Sequence, residues 1–291
     1  MILIPFRHDS SEDVGDYKLA VQLYREAMFA LEPVRIELGA VGYLRPFGLN
    51  LLAGMIYDLL RRGLDVSVTV PQSQQVEQFL MDHGFFKEFL VGSSGRVQRV
   101  PRSTSVGLRR LDELDGSYLS SMVYWLNRYA LVPIDRIEDM VMVTMPEILN
   151  NVFDHSQSPF GCYVCAEAYP EEHRLMLSVM DFGVGFYEQL HPRYPHLTSD
   201  SEAIALAVKE GITSKPKKRN AGRGLPILSG WVKTCNGDLE IISQDGYWIQ
   251  NQEGLTRTES IPFDFPGSCI NLCVHTDNIP EQQPDERRLY D

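Results

Sequence analysis

The feature that most limits how this chain can fold is a mostly apolar run, Leu175 to Met180, that stops at Asp181-Phe182-Gly183-Val184-Gly185. The run reads as a strand, and the aspartate stands at its end. A carboxylate in that position can accept a hydrogen bond from an exocyclic amine. The adenine amino group is such a donor, whereas guanine presents an acceptor at the same place. The two glycines carry no Cβ, so backbone there can approach a flat base closely. Asp-x-Gly is also ordinary turn chemistry, so the segment alone decides nothing.

Three other segments narrow the reading. Upstream lies Glu147-Ile148-Leu149-Asn150-Asn151-Val152-Phe153-Asp154-His155-Ser156, on a helix expected from about Asp135. Glu147, Asn151 and His155 recur every four residues, which gives them one helix face. A neutral amide oxygen from Asn151 suits one position of an octahedral magnesium ion, with water and phosphate oxygens in the others. The Glu147 carboxylate can orient or deprotonate a water. Downstream, Asn220-Ala221-Gly222-Arg223-Gly224-Leu225-Pro226 opens a helical run to Val232. Glycines before a helix start expose N–H groups, and the helix dipole favours anions there. Lys215, Lys217, Lys218 and Arg219 lie just before it. Finally, Gly267-Ser268 opens a last strand, and Ser268 is placed to reach the edge of a base.

Several classes are disfavoured. A formal net charge of -12 works against non-specific nucleic-acid binding, which needs cations to displace counterions. No stretch approaches ~20 apolar residues, and Met1 to Pro5 is too short for a signal peptide, so a cytoplasmic protein with reduced thiols is expected. Cys162 and Cys165 form C-x-x-C, but on a strand a spacing of three puts the two sulfurs on opposite faces. Asp181-Phe182-Gly183 spells the kinase DFG, yet residue 175 is Leu where a catalytic aspartate belongs, and no glycine-rich loop with a strand lysine precedes it. A P-loop is absent.

The N-terminal third alternates strand and helix signals. Strands are expected at Ile2 to Phe6, Val34 to Leu38 and Val66 to Val70, and helices at Tyr17 to Leu31, Gly48 to Arg62 and Gln74 to His83. The order from Val34 to Phe89 resembles a STAS domain, the small α/β fold of anti-sigma-factor antagonists. Those proteins carry a phosphorylatable hydroxyl before the long helix. Here the loop reads Leu44-Arg45-Pro46-Phe47-Gly48, so phosphorylation control is not expected. Val91 to Ser105 reads as a linker and Leu108 to Leu131 as a helix.

Taken together, the four C-terminal segments resemble the GHKL superfamily, which includes gyrase-type topoisomerases, heat-shock chaperones, histidine kinases, mismatch-repair ATPases and anti-sigma-factor kinases. The resemblance covers about Ser120 to Thr276. Glu147 and Asn151 match the Asn-containing helix, and Asp181, Gly183 and Gly185 the adenine box. Gly222, Gly224 and Leu225 match the second glycine box, and Gly267-Ser268 the last one, with Ser for the commoner Thr. The resemblance implies a two-layer α/β sandwich, a mixed sheet with helices on one face, beside the smaller STAS-like α/β domain. Expected domains are 1–96, a linker and helix start at 97–119, the ATP-binding domain at 120–277 and a tail at 278–291.

The implied ligands are ATP and Mg²⁺. Glu147 would be catalytic and Asn151 the magnesium ligand. Asn151, Asp181, Gly183, Gly185, Lys215, Gly222, Arg223, Gly224, Leu225 and Ser268 would bind nucleotide, with residues 186–221 as a lid. A histidine kinase is disfavoured because Leu108 to Leu131 holds no histidine. The expected function is slow ATP hydrolysis coupled to lid closure, a switch acting on a protein partner through the N-terminal domain, with a homodimer left open. A serine/threonine kinase of the anti-sigma type and a non-catalytic nucleotide-binding scaffold stand as alternatives.

Overall fold

The computed structural model describes residues 1–6, 17–29, 32–89, 105–129, 132–133, 141–142, 145–209 and 224–279. Its N-terminal region is built from β1 (Ile2–Pro5), α1 (Lys18–Ala27), β2 (Val34–Glu37), α2 (Pro46–Arg61), β3 (Val66–Val68), α3 (Gln74–Asp82) and α4 (Phe85–Phe89). The three strands form a parallel sheet in the order β1-β2-β3. Sequence periodicity anticipates each of these elements to within a few residues except α4, which it does not show. The segment from 90 to 104, which includes most of the expected linker, lies outside the described residues.

The larger sheet has seven strands: β4 (Ser105–Leu111), β5 (Cys162–Tyr169), β6 (Arg174–Asp181), β7 (Asp238–Ser243), β8 (Gly246–Gln250), β9 (Thr256–Ser260) and β10 (Ser268–His275). Their order is β4-β5-β6-β10-β7-β8-β9, so the last strand among the described residues sits at the centre. Every pairing in it is antiparallel, and the expected mixed sheet is corrected on this point. Hairpin-like neighbours β5-β6 and β7-β8-β9 need no parallel crossover. A second correction concerns Leu108 to Leu111. They belong to edge strand β4, and the helix that follows, α5 (Gly116–Tyr129), starts only after Asp115, whose carboxylate accepts from the Ser117 and Tyr118 N–H groups.

The large sheet is covered on both faces, with the helices of its own region on one face as expected. One face of the sheet carries α5, α6 (Met145–Asn151), α7 (Gly185–Leu190), α8 (Asp200–Ala207) and α9 (Gly224–Thr234). The opposite face is covered as well, by α2 and the N-terminal core. The central strands read accordingly. On β5, Cys162, Val164, Ala166 and Ala168 enter the first core, while Cys165 enters the second. The two cysteines of C-x-x-C thus lie on opposite faces, as the spacing requires. A strand apolar on both sides must be covered on both sides.

Helix α2 explains why the N-terminal region cannot stand off from this sheet. Twelve of its sixteen residues are buried, including Leu49, Leu51, Leu52, Met55, Ile56 and Leu59. A helix apolar around its circumference has no face left for water. It packs on β5 and β6 on one side and on β3 on the other. Its two buried polar residues are each bonded, Asn50 through its amide nitrogen only. Asn50 donates to the Ser178 carbonyl at 3.0 Å. Asp58 accepts from the Tyr24 hydroxyl at 2.8 Å and from Arg62 at 2.6 Å.

Gly54 of α2 faces Phe182, the residue after Asp181. A Cβ at Gly54 would lie within the Phe182 ring, which is also held by Phe160 at 5.3 Å and Tyr24 at 6.1 Å between centroids. Gly54→Val is therefore expected to destabilise the protein by about 1–3 kcal/mol, the usual range for overpacking. Phe182→Ala in the same chain should recover part of that loss, because the two sites share one volume. Urea denaturation of the single and double variants measures both effects. A neutral Gly54→Val would mean that the ring is not confined there.

Candidate functional site

The site is assembled by strand register. Asp181 closes β6, Ser268 opens β10, and the two are direct cross-strand partners. The Gly267-Ser268 segment and the Asp181-Phe182-Gly183 segment, whose Ser268 and Asp181 are 87 positions apart in sequence, thus meet at one end of the sheet. The connection is close enough that a Cβ at Gly267 would overlap the Asp181 carbonyl oxygen. Gly267 has φ +113°, a value that L side chains rarely adopt.

The glycines after Asp181 are set by their neighbours. A Cβ at Gly183 would overlap the Ser156 carbonyl oxygen, which accepts from the Val184 N–H at 2.7 Å. Gly185 has φ +84° and starts α7, where the Ser243 hydroxyl accepts from the Phe186 N–H at 2.8 Å. Asp200, at the start of α8, accepts from the Ser243 hydroxyl and from the Tyr187 N–H. Asp200 and Ser243 are thus structural supports that no motif in the sequence announced.

Helix α6 ends in a π-helical turn, Val152–Ser156. Hydrogen bonds there span five residues, so the chain is wound more loosely. The His155 side chain, expected to continue the stripe of Glu147 and Asn151, lies outside the described residues. Glu147 sits on α6, but its side chain lies outside the described residues.

Asn151, Asp181 and Ser268, taken from three separate motifs, line one recess together with Ile148, Val152, Val179, Ile270, Phe186 and Gln189. Phe186 follows the second glycine directly, which could have flagged it. Gln189 carries no sequence signal. The recess is narrow. About 20 Å³ is open to the centre of a water-sized body, enough for a water or two and not for a purine ring.

Two features of its polar wall are energetically unusual. Burial pushes the Asp181 carboxyl up to about 7, while the Gly183 and Ser268 N–H groups pull it back. The Gly183 N–H donates to Oδ1 at 2.8 Å. Beside it, the Ser268 hydroxyl is buried with no hydrogen-bond partner within the protein. Such a group costs about 1–3 kcal/mol when left unmet.

The second glycine box is only partly described. Gly224 and Leu225 are buried in the first turn of α9, which packs on α6, and Leu225 is part of the core. Lys215, Lys217, Lys218, Arg219, Gly222 and Arg223 lie outside the described residues.

Because the folded carboxyl holds its proton more tightly than the unfolded one, Asp181 removes stability as pH rises from about 4 to about 7. Asp181→Asn is thus expected to stabilise the ligand-free protein at pH 8, on the order of 2–4 kcal/mol. The gain should shrink steadily between pH 7 and pH 4. Denaturation curves of the two proteins across that range test it, and a variant less stable than wild type at pH 8 would contradict the assignment.

A scan against protein-family models finds no match for this chain, and a search of curated proteins finds none either.

Proposed function

We propose that the recess between α6, β6 and β10 binds the adenine edge of ATP, and that the protein is a magnesium-dependent, GHKL-type ATPase working as a slow conformational switch. The observation that carries this reading is the pairing of a buried carboxylate with an unmet hydroxyl on adjacent strand ends. Asp181 supplies an acceptor for an exocyclic amine, and Ser268 supplies a donor for the neighbouring ring nitrogen. Adenine offers that pair of groups side by side. A bound base would thus meet both polar atoms that the protein itself leaves costly.

Asn151 stands at the mouth of the recess and is exposed, as a residue turned toward phosphate and a hydrated magnesium ion would be. Its amide oxygen is the candidate metal ligand. Glu147, one turn earlier on α6, is the candidate base for an attacking water. For a flat base to enter, the half-buried Phe186 and Gln189 must move aside, so binding is expected to reshape α7. The cations of 215–223 would supply the lid. A serine/threonine kinase of the anti-sigma type and a non-catalytic nucleotide scaffold share the same pocket and differ in where the phosphate goes.

Calorimetry with ATP and magnesium tests the pocket. Asp181→Asn is expected to weaken binding by roughly 1.5–3 kcal/mol, the range for a hydrogen bond to a charged group. Unchanged affinity would remove adenine from the site. Asn151→Ala should lose the magnesium dependence of binding. Glu147→Ala should keep ATP bound and release no phosphate. Labelled ATP that passes its phosphate to a protein would favour the kinase, and no turnover at all the scaffold.

A further inference from the structure

On the opposite face of the large sheet, a cavity of about 270 Å³ lies between the start of α2 and strands β6, β10 and β7. It opens where α2 begins, beside Arg45, Pro46 and Phe47. Met180, Cys269 and Ile242, a row across β6, β10 and β7, are sealed in the core beneath the N-terminal region. Two rows further along, Met176 and Cys273 stand opposite Asp238, with only the first turn of α2 above them. The sheet floor is thus left uncovered at this end.

The walls are oppositely charged. Arg45, which precedes α2, and Arg174, on β6, flank one side and lie within electrostatic reach of each other. Helix α2 adds to that side, because its N-terminal residue Arg45 makes no side-chain cap and Pro46 follows it. The uncapped first turn presents the positive end of a sixteen-residue helix. Across two strand spacings, on β7, stand Asp238 and Glu240. Asp238 accepts from the Gln252 amide at 3.3 Å, and Glu240 from the Tyr247 hydroxyl at 2.8 Å. Arg174 also pairs with Glu172. Between the two walls the floor presents Met176 and Cys273 beside Ser178 and Asn271, with Phe47 of α2 above it.

From this polarity we infer that the cavity is a binding site for a short peptide with free termini, its carboxylate at Arg45 and Arg174 and its ammonium group at Asp238 and Glu240. The register sets the length. Arg174 and Asp238 are separated by two strand spacings and one same-face step, about 10–12 Å between backbones. Three extended residues span about 10–11 Å. The site uses none of the groups of the nucleotide recess and does not rest on that reading.

Titration calorimetry of the nucleotide-free protein tests the inference with dialanine, trialanine and pentaalanine, and with N-acetyl and C-amide forms of trialanine. Trialanine is expected to bind tightest, and either cap to weaken it at least tenfold. Asp238→Asn should weaken trialanine by a similar factor and leave the N-acetyl form no weaker than before. Arg174→Gln should do the same for the C-amide form. Absence of trialanine binding at millimolar concentration overturns the proposal. So does equal binding of capped and uncapped peptides, or sensitivity to the carboxylate cap alone, which would make the cavity a simple anion site.

Discussion

The structure depends on the burial of α2 between two sheets. Leu49, Leu51, Leu52, Met55 and Leu59 are all fully enclosed, and no arrangement that exposes one side of this helix avoids wetting several of them. Each buried side chain of this size is worth ~1.5–3 kcal/mol, so the contact is the largest single reason for the N-terminal region to stay on the sheet. It also brings Gly54 against Phe182. The strand end that carries Asp181 is thereby fixed from behind by the N-terminal region, a part of the chain that does not line the recess.

The site itself runs against stability. A carboxyl driven up to about 7 by burial and a serine hydroxyl with no partner are both unfavourable in the folded protein. The surrounding structure sustains them, because β6 and β10 are fixed in register by eight cross-strand pairs. Local strain of this kind points toward a ligand rather than away from one. The supports Asp200 and Ser243 matter for the same reason. They hold the start of α7 against β7 and so set the position of Phe186 at the mouth of the recess.

Much of this was legible in the sequence because it is local. The run ending at Asp181, the helix at Gly48 to Arg62 and the Gly267-Ser268 strand start are each written in a few adjacent residues. Two-sided burial was also written, though in less obvious form. Leu51 and Met55 widen the Leu49–Leu52–Ile56–Leu59 stripe of α2 beyond one narrow face, and Cys165 and Met180 are apolar on the second face of their strands. Strand β4 was missed because Leu108-Arg109-Arg110-Leu111 has no apolar alternation. Its identity comes from pairing with β5, a long-range fact. The π-turn after Asn151 has no sequence marker either, and neither does Gln189, whose position follows from how α7 lies on its neighbours.

The place of β10 carries a consequence for how the protein is made. Strands β4, β5 and β6 form one half of the large sheet, and β7, β8 and β9 the other. Residues 268–275 are the seam between them, and they are synthesised after both halves. Until the ribosome has released this stretch, β6 and β7 each present an open edge, and the apolar floor beneath α2 is missing its central row. Unpaired strand edges of this kind are the sites at which partly folded chains associate wrongly. The large sheet is consequently closed from the middle, by β10, rather than grown from one edge to the other.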